Sequence, residues 1–222
     1  MPRFKVQSVS LLAAATVAFI GFAGIEQGHA DQITTLFSTG VDGAGNPLPD
    51  GSIDPHYTVA PGAGPFAIGC PGCVGWVGDT ASSSWISPDP STYAGGGPFT
   101  YHTTFDLTGL DPSTAVLAGS LAIDDQGSIF LNGVDVFDSA STFSSPWSFF
   151  DAFTITSGFI GGINSLDIVV PNNIETPNDG PTGVQLAISG TASPVPEPTG
   201  LALLGLALGV LGKMRRTTRR AR

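Results

Sequence analysis

The positive charges of this 222-residue chain are confined to its two ends. All eight Lys and Arg lie at positions 3, 5, 213, 215, 216, 219, 220 and 222, so residues 31–193 contain none. Of the eighteen Asp and Glu, only Glu26 and Glu197 lie outside that stretch, which therefore carries sixteen carboxylates. A domain built from it cannot form Lys or Arg salt bridges, so its carboxylates must bind water, backbone amides or metal ions such as calcium.

This charge balance also excludes two classes of partner for residues 31–193, which we call the body. Nucleic acids and anionic membrane surfaces are bound through Lys and Arg, which the body lacks. Its length fits a single domain with a proper core. The chain is rich in Gly (30) and Pro (18), yet its fourteen Phe and its alternating apolar runs favour a folded, loop-rich, all-β body over disorder.

The clearest alternating run covers residues 99–107, where Phe99, Tyr101 and Phe105 share one face with Thr103. Such a period of two predicts a half-buried strand. His102 falls on the opposite face of that strand, so we expect a solvent-facing histidine rather than a catalytic base.

A second local signal is Asn132-Gly133, the pair most favoured in a type I′ turn, which predicts a hairpin over residues 128–137. The remaining apolar or alternating runs are separated by Gly, Asn and Pro. They predict further strands at residues 33–37, 115–123, 152–156, 166–170 and 184–189.

A long loop rich in Gly, Asp and Pro follows the first of these runs. Asp42, Asn46, Asp50 and Asp54 recur in it every four residues, and a curled loop could bring their oxygens onto one calcium ion. The order of ligands does not match an EF-hand loop. The alternative is that these Asp and Asn side chains cap turns through bonds to their own backbone.

The only two cysteines form the sequence Cys70-Pro-Gly-Cys73. In an exported chain a short-loop disulfide is the first interpretation, and the Pro-Gly pair favours the tight turn that it needs. A redox dithiol would require a following helix, which the pattern does not predict. A zinc site would have to recruit His56 and His102, whose spacing does not specify it.

Aromatic residues concentrate in the segment that follows the cysteines. Trp76, Trp85 and Tyr93 lie among Ser, Gly and Pro residues, where ring faces could stack on the C–H groups of a sugar. We take these three as candidate ligand-binding residues. The competing interpretation places the tryptophans in the core.

Residues 1–30 have the pattern of a secretory signal peptide. Arg3 and Lys5 precede an apolar run over residues 9–25, and Gly28-His29-Ala30 offers small residues where signal peptidase requires them. Cleavage is therefore predicted between Ala30 and Asp31.

Residues 194–222 resemble the PEP-CTERM sorting signal. Pro196, Glu197 and Pro198 precede an apolar run over residues 201–212, and a basic tail closes the chain. The resemblance implies that an exosortase cuts at the tripeptide while the apolar helix holds the precursor transiently in the inner membrane. It also implies a Gram-negative-type bacterium and a mature protein at the cell surface or in the extracellular matrix. An uncut anchor is the alternative, but the apolar part counted from Gly200 to Gly212, about 13 residues, spans only roughly 20 Å of a hydrocarbon core about 30 Å thick.

Parts of the body resemble the galactose-binding-like jelly roll. The similarity lies in Phe105-Asp-Leu, in the run from Leu121 through Leu131-Asn-Gly, in Phe153-Thr-Ile and in Gly162-Ile-Asn-Ser-Leu-Asp-Ile-Val-Val170. It implies a single β-sandwich of a kind often used to bind carbohydrate. Fold alone does not fix function, and the body has no arginine of the type that commonly grips a sugar in that family.

Three functions from different classes follow. The first is a non-catalytic surface or matrix protein that binds carbohydrate, such as the producer's own exopolysaccharide. The second is a purely structural acidic coat protein whose Ser82–Thr92 loop carries sugar. The third is a hydrolase that uses Asp124 with Asp125 or Asp151, but adjacent acids at a turn more often cap it, and no G-x-S-x-G motif occurs. We therefore expect no enzyme.

Overall fold

The computed structural model describes residues 29–69, 75–139, 145–172 and 181–195, together with 205–206 and 208–209. Within these ranges the body consists of strands and one 3₁₀ turn, Pro112–Thr114, and residues 205–206 and 208–209 are helical. The strands are β1 (Asp31–Gln32), β2 (Thr58–Ala60), β3 (Phe66–Ile68), β4 (Trp85–Ser87), β5 (Phe99–Asp106), β6 (Val116–Asp124), β7 (Ser128–Leu131), β8 (Val134–Asp138), β9 (Asp151–Ile155), β10 (Ile163–Val170) and β11 (Gly183–Ala192).

The strands form two antiparallel sheets. A six-stranded sheet has the order β3-β4-β11-β6-β9, with β1 paired to the end of β11. A five-stranded sheet has the order β2-β5-β10-β7-β8. The predicted all-β sandwich is therefore confirmed.

The core lies between the two sheets and follows from the period of two in each long strand. Tyr101 and Phe105 of β5 face Leu117 and Leu121 of β6 across it, and all four are at most 1% exposed. His102 points to solvent on the other face of β5, as the sequence predicted, and its Nδ1 lies 2.6 Å from an oxygen of Asp167 on β10.

The predicted hairpin is also confirmed. Asn132 and Gly133 have φ angles of 51° and 79° between β7 and β8, the left-handed pair that a type I′ turn requires. The predicted strand at 33–37 is wrong. The amide of Leu36 donates to the carbonyl of Ile33 there, so the chain turns, and both side chains are buried under the end of β11.

Both ends of the body lie at one end of the sandwich. Asp31 pairs with Ala192, Pro194 pairs with Leu110, and the amide of Val195 donates to the carbonyl of Gly109 at 2.9 Å. We call this end, marked by Asp31, Val195 and the Gly109 turn, the terminal pole. The opposite end, where β6 finishes and β11 begins, is the distal pole. In the part of the chain that is described, no helix has the length and apolar character to cross a membrane.

Candidate aromatic and carboxylate site

Trp76 lies at the distal pole on the outer face of the six-stranded sheet. Its indole N–H donates to Oδ2 of Asp124 at 2.9 Å, and its ring stacks on Trp85 with centroids 4.0 Å apart and planes tilted by 38°. The ring also lies over Gly183, where a methyl group would come within 3.2 Å of two ring carbons. The side chain is half-buried, so these contacts fix the ring while part of it stays open to solvent.

Asp124 is the last residue of β6 and is only 8% exposed. It faces outward because Leu121 and Ile123 of the same strand face the core. Burial, then the neighbouring charge and hydrogen bond of Asp125, raise the pKa of Asp124 to about 7, against the opposing effect of the Trp76 N–H. Below that pH the carboxyl pair holds a proton, so it can both donate and accept hydrogen bonds.

A small apolar cluster surrounds this pair on the outer face. Trp85 packs there with Ile68 and Ala122, and half-buried Trp147 and Phe150 lie against them. The carbonyl of Trp147 accepts a hydrogen bond from the Val77 amide at 2.8 Å, which joins the two loops that carry the rings. All three tryptophans of the chain therefore lie in this region.

Tyr93 reaches the same pole on a separate loop and is 59% exposed. The carbonyl of Thr92 accepts from the amide of Thr182 at 3.0 Å, and the Thr182 hydroxyl donates to the carbonyl of Asp124 at 2.7 Å. Thr182 therefore links the Tyr93 loop to the end of β6.

The three predicted ligand-binding aromatics thus differ in position. Trp76 and Tyr93 are accessible, whereas Trp85 is 1% exposed and its N–H is bonded to the carbonyl of Val77 at 2.7 Å. Trp85 forms the floor beneath Trp76, as the core interpretation of the tryptophans expected.

Of the four predicted calcium ligands, Asp42 and Asn46 bond to each other, whereas Asp50 and Asp54 have other neighbours. Asp42 accepts from the amides of Ala44 and Asn46 at 2.8 and 2.9 Å, and these bonds lower its pKa. Asp54 is buried and accepts from two other backbone amides at 2.7 Å, while burial raises its pKa. Asp50 is exposed and lies against Gly69. In residues 29–69 and the other described ranges, no three His, Cys, Asp or Glu are placed to hold a metal ion, and the calcium site stays a prediction.

Other predicted residues lie outside the described ranges or away from the site. Cys70, Cys73, Pro196, Glu197 and Pro198 are outside those ranges. Ala30 and Asp31 are exposed at the start of β1. His56 stacks on Phe37 with centroids 3.6 Å apart.

The segment predicted to carry sugar in a structural coat protein offers few hydroxyls to solvent. Four of its side chains are buried: Ser83, Ser84, Ser87 and Thr92. Ser82 and Ser91 are exposed, and the Ser91 hydroxyl donates to Asp89 at 2.5 Å. This burial disfavours the loop as a site of dense glycosylation.

Sequence reasoning did not identify Trp147, Thr182 and Gly183 as parts of this site, and it considered Asp124 only as a turn cap or a hydrolase residue. The signal that could have indicated the site was the presence of small residues at strand positions that face outward from the six-stranded sheet. Ala122 and Gly183 leave room for large rings above the sheet, and such room is required where an indole approaches a strand this closely.

The fold is that of an all-β sandwich domain with an aromatic and carboxylate cluster on one outer face. Among solved structures it is similar to three family 35 carbohydrate-binding modules. One from an environmental isolate is 13% identical, and the alignment covers 56% of this chain and 85% of that one. The module from Clostridium thermocellum is 13% identical, and the alignment covers 55% of this chain and 84% of that one. The module from Paenibacillus barcinonensis is 16% identical, and the alignment covers 60% of this chain and 93% of that one. The TM-score is 0.32 in each case, which is too low to support a functional argument.

No protein-family profile matches the sequence, and no curated protein matches it significantly.

Proposed function

We propose that the body is a non-catalytic carbohydrate-binding domain and that its site is the cluster around Trp76 and Asp124. The observation that carries this proposal is a half-buried indole, part of which stays open to solvent, fixed from three sides by Asp124, Trp85 and Gly183. Sugars present C–H groups that stack on such a ring and hydroxyls that bond to carboxyl groups. A ring held in place before binding loses little freedom when the ligand arrives.

The charge of the body limits the class of sugar. Sixteen carboxylates and no Lys or Arg would repel a polyanionic glycan, so the ligand that fits best is a neutral polysaccharide. A neutral exopolysaccharide of the producing cell belongs to this class. Because the pKa of Asp124 is raised to about 7, the Asp124 and Asp125 pair carries less negative charge near neutral pH, which suits a neutral ligand.

We also propose that the protein is exported and sorted. Signal peptidase would cut between Ala30 and Asp31, and an exosortase would cut at Pro196 to Pro198 after a transient stay in the inner membrane. The order of motifs at both ends and the exposure of Ala30 and Asp31 support this fate. The mature sandwich would then act at the cell surface or in the extracellular matrix.

Affinity electrophoresis tests the binding site. The protein is run through native gels that contain galactomannan, xylan or mixed-linkage glucan, with and without calcium. We expect one neutral polysaccharide to retard the protein, Trp76→Ala to abolish the retardation, and His102→Ala, on the outer face of the other sheet, to leave it unchanged. Migration that no polysaccharide alters, or equal retardation of Trp76→Ala, would overturn the proposal.

A further inference from the structure

The two apolar terminal segments of the chain attach to the same pole of the sandwich. Because Asp31 pairs with Ala192 in antiparallel register, the chain before Asp31 and the chain after Ala192 leave the sheet in the same direction. Val195 is still bonded to Gly109 at that pole. The apolar runs at residues 9–25 and 201–212 therefore both continue from the terminal pole.

The terminal pole also exposes large apolar side chains. Val134, Ile160, Ile163 and Val195 are each between 51% and 59% exposed. Val116, the first residue of β6, is also at this pole and is 37% exposed. Elsewhere in the described residues 29–195, Ile53 and Tyr93 are the other large hydrophobics with more than a third of their surface exposed. The exposed large apolar side chains are therefore concentrated near one pole, which is typical of a surface that contacts an apolar partner.

Hydrogen bonds join the loop that carries Ile160 to the hairpin that carries Val134. The buried side chain of Asn164 accepts from the amide of Ile160 at 2.9 Å and donates to the carbonyls of Ile160 and Gly162. Its oxygen also accepts from the Asn132 side chain at 2.9 Å, which fixes the hairpin next to Val134. The loop with Ile160 and the hairpin with Val134 are thus one unit.

Chain length keeps this pole close to any membrane that the apolar runs enter. Five residues, 196–200, join Val195 to the C-terminal run, and five, 26–30, join the N-terminal run to Asp31. At about 3.4 Å per residue, each linker reaches at most roughly 17 Å.

The candidate site is at the far end of the same strand. β11 begins at Gly183, beneath Trp76, and ends at Ala192, beside Asp31. β11 has ten residues, and at about 3.3 Å per residue the site lies roughly 30 Å from Ala192, where the chain leaves the sheet.

We infer that, while the precursor is tethered, its terminal pole rests on the lipid bilayer through Val134, Ile160, Ile163 and Val195, and the Trp76–Asp124 site faces away from the membrane. This inference rests on the tether in the proposed function.

The bilayer is the occupant that these observations favour. Leu206 and Leu208 of the C-terminal run are 67% and 61% exposed, so they do not cover the apolar surface. Asp106 and Asp111 lie at the rim of the pole, where bonds from the Thr108 and Ser113 side chains lower their pKa and keep them charged. Contact with lipid must therefore be apolar and independent of anionic headgroups.

Depth-dependent quenching tests the orientation, because all three native tryptophans lie in the region of the site. The full chain is reconstituted from detergent into phosphatidylcholine vesicles with brominated or ordinary acyl chains. We expect native tryptophan emission to be the same in both lipids. The emission added by Ile163→Trp should be largely lost in brominated lipid, and that added by Tyr93→Trp, at the distal pole, should persist.

Each other result overturns the inference. Quenching of the native tryptophans would put the site at the membrane, and an unquenched Ile163→Trp would show that the pole stands off the bilayer. Val134→Trp repeats the measurement at a second position, and near-ultraviolet circular dichroism verifies that each variant is folded. If the chain failed to float with the vesicles, the proposed tether would be rejected, and the inference with it. If the chain floated but no polysaccharide retarded it in the native gels, only the proposed ligand would be rejected.

Discussion

The indole N–H of Trp76 donates to Oδ2 of Asp124 at 2.9 Å across 48 positions of sequence. This bond joins the loop before β4 to the last residue of β6, two elements that are not neighbours in the sheet because β11 lies between them. It gives a buried carboxyl group a donor that carries no charge. In a body without Lys or Arg, such neutral donors replace salt bridges.

The raised pKa of Asp124 makes stability depend on pH. From the ordinary value of 3.8 up to about 7, the folded protein keeps a proton that the unfolded chain releases. The free energy of unfolding must therefore fall as pH rises through this window, by up to about 4 kcal/mol if Asp124 acted alone. Asp124→Asn still accepts from Trp76 but cannot ionise, so we expect a smaller fall between pH 5 and pH 8 in urea unfolding.

Asp124→Asn should still lose some stability as pH rises above 3.8, because burial also raises the pKa of Asp54 and Asp79. If the wild type and Asp124→Asn lost stability equally over this range, the pKa of Asp124 would not be raised in the folded protein.

Gly183→Ala should displace the Trp76 ring. The added methyl would lie 3.1 Å from a ring carbon and 3.0 Å from the carbonyl oxygen of Ile86, so either the ring or the strand must move. We expect a loss of about 1–3 kcal/mol in the free energy of unfolding, with weaker binding to polysaccharide. Gly78→Ala is the matched control, since a methyl there meets nothing within 4 Å. Equal stability and binding in both variants would count against the placement of Trp76.

Asn164→Ala should destabilise the protein strongly. The Asn164 side chain is fully buried and satisfies the amide and carbonyl of Ile160, the carbonyl of Gly162 and the side chain of Asn132. Its removal takes away the partner of the Ile160 amide and carbonyl, which costs about 2–4 kcal/mol in urea unfolding. The Gly162 carbonyl still accepts from the Leu107 amide, and the Asn132 side chain still donates to the Gly158 carbonyl. Asn46→Ala, in an exposed turn, should cost less than about 1 kcal/mol. A similar cost for both changes would contradict the network.

Salt should stabilise the protein. Repulsion among sixteen carboxylates opposes the compact state, and no Lys or Arg in the body offsets it. Raising sodium chloride from about 0.01 M to 0.15 M shortens the screening length from roughly 30 Å to 8 Å, so the melting temperature should rise. A melting temperature that fell instead would show that attractive charge pairs dominate. Calcium chloride at the same ionic strength tests the predicted calcium site, which would give a further rise.

The sequence predicted the sandwich because its long strands repeat a local period. In β5 alternate residues from Phe99 to Phe105 are buried, as their spacing indicated. The hairpin at Asn132-Gly133 was equally local, since only the turn pair decides it. The short strands β2, β3 and β4 have three residues each and owe their formation to long-range pairing, so the pattern did not reveal them.

The site was harder to predict because its residues are far apart in sequence and are brought together by the order of the strands in the sheet. Trp76 was named as a candidate from its residue type, but its partner Asp124 is reached across β4 and β11. The strand predicted over Ile33 to Phe37 was wrong for a related reason. Its apolar residues suit a strand, but packing under β11 favours a turn at Leu36.

β11 also determines how the domain would carry mechanical load. It runs from Gly183, under Trp76, to Ala192 beside Asp31, and pairs with β6 over nine residues. Tension between a polysaccharide held at Trp76 and a chain end held at Val195 would act along this strand. Ladder hydrogen bonds are perpendicular to the strands, so such tension shears them together instead of unzipping them one after another. The sandwich would therefore resist being pulled apart along the line that joins its candidate site to the terminal pole.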